Sequence, residues 1–198
     1  MKKRVAELIR ETGETSVRVH LDLDGEGKSQ CETGVGFFEH MLQLLAYHSK
    51  VDLKIHAEGD LQVDDHHLVE DVGIVVGQAL RQALGDKSGI RRYGSVLLPM
   101  DEVLVAVALD LSGRYAFICD YVPGQPRVGQ LSTEMVPHFF SSLAAEARCN
   151  LHFRFLYPGQ NEHHRVEAMF KGFARSLRAA VRIDREAPAR VPSTKGIL

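Results

Sequence analysis

The motif His-His-x-x-Glu occurs twice in this 198-residue chain, as His66-His67-Leu-Val-Glu70 and as His163-His164-Arg-Val-Glu167, at an offset of 97 residues (163 − 66). A further histidine precedes each copy, His40 and His138, at an offset of 98 (138 − 40). Self-similarity at a nearly fixed distance means that one structural unit is used twice. The flanks agree: His40-Met-Leu-Gln-Leu-Leu-Ala46 parallels His138-Phe-Phe-Ser-Ser-Leu-Ala144, and Leu21-Asp-Leu-Asp-Gly25 parallels Leu109-Asp-Leu-Ser-Gly113. The chain therefore divides into a first half, residues 1–90, a second half, 91–186, and a tail, 187–198.

Each half reads as strands, helix, strand, helix. The segments Thr15 to Leu23 and Val103 to Leu111 are rich in β-branched residues and alternate, as strands do. Val51 to Ala57 and Asn150 to Leu156 alternate as well. Gly36 to His48 and Thr133 to Ala147 carry apolar residues at three-to-four spacing, which predicts helices. Two amphipathic stretches, Asp71 to Leu84 and Ala168 to Val181, follow the motifs. Gly25, Gly27, Gly85, Gly113 and Gly124 punctuate turns. The pattern predicts an α+β fold of two tandem halves, each a β-sheet with helices packed on one face. The tail holds Pro188 and Pro192 and reads as irregular.

Helix geometry gives the motif a chemical meaning. Residues four apart share a face, so His66 and Glu70 can grip one ion, and so can His163 and Glu167. Adjacent residues diverge by about 100° on a helix, so His66 and His67 suit different ions. One such pair alone would read as the exposed polar start of a helix. Recurrence at matched spacing, while the surrounding sequence diverges, favours metal binding. His40, His66, His67, Glu70, His138, His163, His164 and Glu167 make eight ligands, enough for two ions at four each. Imidazole and carboxylate without thiolate suit Mn, Fe or Zn. His20, His56 and His152 stand outside the repeat and read as structural or solvated.

Bulk properties exclude other classes. A net charge of −2 gives no pull toward nucleic acid or an anionic membrane. No apolar run approaches the roughly 20 residues that span a bilayer, and Met1 to Glu11 is too charged for a secretion signal. Cys31, Cys119 and Cys149 are scattered and odd in number, which fits a cytoplasmic protein without a disulfide framework.

The ordered motifs Arg10-Glu-Thr-Gly-Glu-Thr15, Gly36-Phe-Phe-Glu-His-Met-Leu42, Asp65-His-His-Leu-Val-Glu-Asp71, Gly89-Ile-Arg-Arg-Tyr-Gly94, Pro99-Met-Asp-Glu102, Asp110-Leu-Ser-Gly-Arg114, His138-Phe-Phe, Asn161-Glu-His-His-Arg-Val-Glu-Ala-Met-Phe-Lys171 and Pro192-Ser-Thr-Lys-Gly196 span nearly the whole chain. With them the sequence resembles the imidazoleglycerol-phosphate dehydratases. It departs from their usual pattern at Glu39, where Asp is common, at Ser49-Lys50, where Gly is frequent, and at Tyr115, where Pro is common. The resemblance implies halves like the second domain of ribosomal protein S5, and trimers assembled into a 24-subunit shell with manganese sites at subunit interfaces. It implies the dehydration of imidazole-glycerol phosphate to imidazole-acetol phosphate in histidine biosynthesis, with two Mn2+ per active site.

That reaction breaks a C–H bond with no adjacent carbonyl, so the substrate's imidazole must be the electron sink. A bound divalent ion lowers the ring's pKa. The resulting imidazolate can expel the hydroxyl to give a diazafulvene-like intermediate, from which a base removes the proton. The resemblance places Glu14 as the acid/base group. His48, two helical turns beyond His40, and Asp101 are further candidates. Arg92, Arg114, Ser193 and Lys195 match phosphate-binding positions, and Lys171 joins His40, His66, Glu70 and His163 in the implied substrate set. Two rival classes are a binuclear phosphoesterase, for which the repeat offers no bridging Asp in register, and a metal-storage assembly, which needs neither Glu14 nor the phosphate set. Asp22-Leu-Asp24 superficially matches a phosphatase nucleophile motif, but turn chemistry at a strand end explains it equally.

Overall fold

The computed structural model describes residues 3–184, 186 and 190–196. The first half contains β1 (Val5–Glu11), β2 (Thr15–Asp22), β3 (Ser29–Glu32), α1 (Gly36–Ser49), β4 (Asp52–Gly59) and α2 (His66–Leu84). The second contains β5 (Tyr93–Met100), β6 (Val103–Asp110), β7 (Ala116–Cys119), β8 (Arg127–Val128), β9 (Leu131–Ser132), α3 (Met135–Ala147), β10 (Asn150–Tyr157) and α4 (Glu162–Ala180). The two sheets have one topology. Their orders are β1-β2-β4-β3 and β5-β6-β10-β7, antiparallel except for the β3–β4 and β7–β10 pairs, which are parallel and joined through α1 and α3. Each half is thus a βββαβα unit.

Alternation decides which face is buried. Val17, Val19 and Leu21 of β2 and Val103, Val105, Val107 and Leu109 of β6 point inward, while Arg18 and Ala108 face out. The helices lie between the two sheets. α2 packs on β1 and β2, and α4 on β5 and β6, while α2 also meets α3 and α1 meets α4. Both helix–helix contacts therefore join one half to the other, around fully buried Phe38, Phe139, Phe140, Phe170 and Phe173. The α2–α3 contact is close because Gly77 has no side chain: a Cβ there would lie 2.5 Å from the Leu143 carbonyl oxygen.

The predicted helices and strands stand where the periodicity put them, with the motif inside the first turn of α2 and of α4. The strands β1, β3, β5 and β7 and the β8–β9 hairpin are additions that periodicity did not reveal. Lys50 ends α1 in the left-handed region at φ 63°, and its repeat partner Arg148 ends α3 at φ 50°. Asp22 and Asp24 serve the strand end. Asp22 Oδ1 accepts from Asp24 N at 2.9 Å, and Asp24 pairs with Arg4 at 2.5 Å, so neither is a free nucleophile. Of the tail, residues 187–189, 197 and 198 lie outside the described set, and 190–196 carry neither helix nor strand. Among the described residues no helix is long and apolar enough to cross a membrane.

Candidate metal and substrate site

The histidine–glutamate motifs sit at helix starts, that of α4 capped by the Asn161 side chain and that of α2 held by the side chain of Asp64 just before its cap. Asn161 Oδ1 accepts from His163 N at 3.0 Å, and Asp64 Oδ1 accepts from His66 N at 2.8 Å. Asp65 is drawn away to the second half, where it accepts from Ser132 N and Oγ, each at 2.6 Å.

Because α1 packs on α4 and α3 on α2, the lone histidine of each half meets the motif of the other. His40, His163 and Glu167 form one triad, and His66, Glu70 and His138 form the second; the ligand atoms of each lie within 4.8 Å of one another. In the first, Glu167 Oε2 is 2.9 Å from His163 Nε2 and 3.8 Å from His40 Nε2. In the second, Glu70 lies 3.6 Å from His66 Nε2 and 3.3 Å from His138 Nε2. His138 Nε2 is shut from solvent and has no hydrogen-bond partner. A buried nitrogen left that way is costly, and a cation between it and Glu70 would satisfy it. Two imidazoles and a carboxylate match a first-row divalent ion, with coordination positions to spare.

The second histidine of each motif points elsewhere, as helix geometry requires. His67 Nδ1 donates to Asp60 at 3.1 Å and lies 3.6 Å from Glu14. His164 Nδ1 donates to Glu102 at 2.8 Å, with Asp101 3.4 Å from its Nε2. The carboxylates of Asp60 and Glu102 raise the two imidazoles above their ordinary pKa. The Asn161 backbone N–H, and then His164, pull Glu102 down to about 2. A carboxylate on Nδ1 fixes the tautomer that frees Nε2 for a metal. Within one chain, then, six of the eight expected ligands converge as two His-His-Glu triads, and the other two stand in separate groups, His67 with Glu14 and Asp60 and His164 with Asp101 and Glu102. Glu14 and Asp101 occupy matching hairpin turns, β1–β2 and β5–β6, each beside one of these histidines.

Sequence reasoning did not single out Asp60 or Glu102. Glu102 could have been found, since it sits in the turn that corresponds to Glu14. It also missed Phe37, whose ring meets His163 edge-on at 4.9 Å.

His48 lies on the same face of α1 as His40, near Lys171 and Arg175. Burial lowers its pKa first, and those two cations lower it further. Arg92, Arg114, Ser193 and Lys195 line a single cavity of about 630 Å³, together with Arg190 and Thr194. Arg92 is anchored there: its guanidinium donates to both oxygens of Asp110, at 2.6 and 3.0 Å, and to the Pro192 carbonyl at 2.9 Å. That cavity shares no lining residue with either triad.

The family profile described as imidazoleglycerol-phosphate dehydratase matches residues 33–177. A Xanthobacter autotrophicus imidazoleglycerol-phosphate dehydratase is 54% identical over 195 residues, 98% of each chain. One from Clostridium botulinum strain Langeland is 50% identical over 198 residues, the whole of both. The crystal structure of the Staphylococcus aureus enzyme matches with a TM-score of 0.82 at 37% identity, covering 91% of this chain and 99% of that one. The Pyrococcus furiosus structure, in complex with (S)-C348, matches with a TM-score of 0.81 at 35% identity, covering 96% and 100%. The chain belongs to the imidazoleglycerol-phosphate dehydratase family, metal-dependent hydro-lyases of histidine biosynthesis.

Proposed function

We propose that the chain dehydrates D-erythro-imidazole-glycerol phosphate to imidazole-acetol phosphate in the cytoplasm, with two Mn2+ per active site. The observation that carries this reading is the pair of His-His-Glu triads formed across the two halves. His40, His163 and Glu167 would hold one ion, and His66, Glu70 and His138 the other. His67 and His164, aimed away from both, would complete the ions of neighbouring copies in a 24-subunit shell. When bound, the ions would supply the acidity that makes the substrate's imidazole an electron sink, along the imidazolate and diazafulvene route.

The chain's own groups do the rest. Glu14 is exposed and stands next to His67, where it can take the proton from the substrate carbon. Asp101 stands in the matching turn beside His164 and would relay a proton. Arg114, Ser193 and Lys195 would hold the phosphate, with Arg92 bracing the tail through Pro192. Guanidinium and ammonium donors in one cavity suit a phosphate dianion. His48 and Lys171 would meet the substrate beside the first triad. On this reading residues 1–90 and 91–186 are the two half-repeats, and 187–198 is the substrate-binding tail.

The test is a dehydratase assay on enzyme stripped with chelator and then restored with Mn2+. Activity should vanish and return, and Glu14→Gln should lower kcat by about 10²–10⁴-fold, the usual worth of a positioned acid/base group. Full turnover by metal-free enzyme would end the metal reading. Near-normal kcat in the Glu14 variant would end its assignment.

A further inference from the structure

The two triads are related by the repeat, yet their surroundings differ in charge. Glu167 is buried, and Lys171, one turn on, places its ammonium against Glu167 Oε1. In the other half the position four residues after Glu70 is Ile74, and Glu70 is 36% exposed with both oxygens turned to histidines. The contrast extends along the helices. Arg175 corresponds to Gln78, and His48 of α1 corresponds to Glu146 of α3; Gln78 donates to Glu146 at 3.0 Å. The first triad therefore has an ammonium on its glutamate and Arg175 further along the same helix, while the corresponding positions of the other half hold an aliphatic side chain, an amide and a carboxylate.

Resting on the metal reading above, we propose that Lys171 makes the two ion sites unequal, so that the Glu70 triad fills first and the Glu167 triad is the weaker, second site. The Lys171 ammonium occupies one oxygen of Glu167 and cancels its charge. A dication entering there gives up the attraction of a free carboxylate and meets like charge at close range. Among the described residues no ammonium or guanidinium pairs with Glu70. Lys171 acts through Glu167 and is in this respect a positioning residue. It would hold the second carboxylate to one-oxygen ligation and keep that ion exchangeable.

The experiment is a Mn2+ titration of chelator-stripped full-length protein, followed by calorimetry and by the electron paramagnetic resonance of free Mn2+. The wild type should show two classes of site with affinities differing by about tenfold or more, the scale on which groups behind the ligands tune metal binding. Glu70→Gln should abolish the tight class and Glu167→Gln the weak one. Lys171→Ile, which copies the first half, should draw the classes together, and Lys171→Arg should restore the gap. Subunit assembly of each variant, measured by light scattering, checks that the fold survives. A single class in the wild type, or an unchanged gap in Lys171→Ile, would overturn the inference. Absence of any bound Mn2+ would overturn the metal reading itself.

Discussion

Asp60 and Glu102 do the same task from different loops. Each carboxylate accepts a hydrogen bond from Nδ1 of the second motif histidine, but Asp60 follows β4 and Glu102 belongs to the β5–β6 turn. Asp60→Asn and Glu102→Gln should therefore each lower Mn2+ affinity by about 10–100-fold, because the ring loses both its orientation and its basicity. An unaltered titration in either variant would show that the histidine it supports is not a ligand. Far from the site, Asp52 illustrates a purely structural carboxylate. Partial burial pushes its pKa up, but backbone N–H groups of Lys28, Glu26 and Gly27, at 2.8, 2.8 and 2.9 Å, outweigh this and hold it low. A depressed carboxylate stabilises the fold above its unfolded pKa of about 3.9, and the contribution is lost as pH falls through the folded value. Asp52→Asn should cost about 1–2 kcal/mol at pH 7 in urea unfolding, with a smaller difference at pH 3; equal differences at both pH values would contradict the assignment. At this scale the sequence named every triad residue. It left open which histidine joins which motif, because that depends on α1 crossing to α4 and α3 to α2, a contact between halves that no local spacing encodes.

Strands β2, β4, β6 and β10 and the four helices were legible because period and repeat agree: β2 and β6 alternate, and α1 and α3 carry apolar residues at helical spacing in both copies. The β8–β9 hairpin was not, although a trace of it exists. The offset between halves is 88 at the Gly25–Gly113 pair (113 − 25) and 98 at the His40–His138 pair (138 − 40), so ten residues (98 − 88) are inserted between them. The two-residue strands are too short to show alternation. They earn their place through Ser132, which donates to Asp65 and so ties the start of α2 to the second half. Helix packing also depends on what is absent. Gly77 lets α2 approach α3 until a Cβ would sit 2.5 Å from the Leu143 carbonyl oxygen and 2.8 Å from Glu146 Cβ. Since backbone cannot yield as a side chain can, Gly77→Ala should destabilise by about 1–3 kcal/mol despite alanine's better helix propensity. It should also weaken Mn2+ binding, because His138 rides on α3 and Glu70 on α2. Unchanged thermal stability would mean that the helices can separate freely, contrary to the packing described.

The whole molecule holds its chemistry in pieces. The cavity of Arg92, Arg114, Ser193 and Lys195 is lined at the tail, the triads lie at the ends of the helix pairs, and the two sets have no residue in common. His67 and His164 belong to neither His-His-Glu triad; within the chain each is grouped only with carboxylates, His67 with Glu14 and Asp60 and His164 with Asp101 and Glu102. On the proposed function, an active site that needs metal ligands and a phosphate cradle together would be built from more than one copy, as closed homo-oligomers allow. Complementation tests this directly. His48→Ala removes a group near the first triad without touching a ligand, and Arg114→Ala removes the proposed phosphate donor; each variant alone should be nearly inactive. Dissociating the two, mixing them in equal amounts and reassembling with Mn2+ should create sites in which both contributing chains are intact. With random pairing of two chains per site, activity should rise to about a quarter of wild type, and the same mixture without dissociation should stay inactive. If each chain carried a complete site, every site in the mixture would keep one lesion, and the activity would not exceed the mean of the two parents.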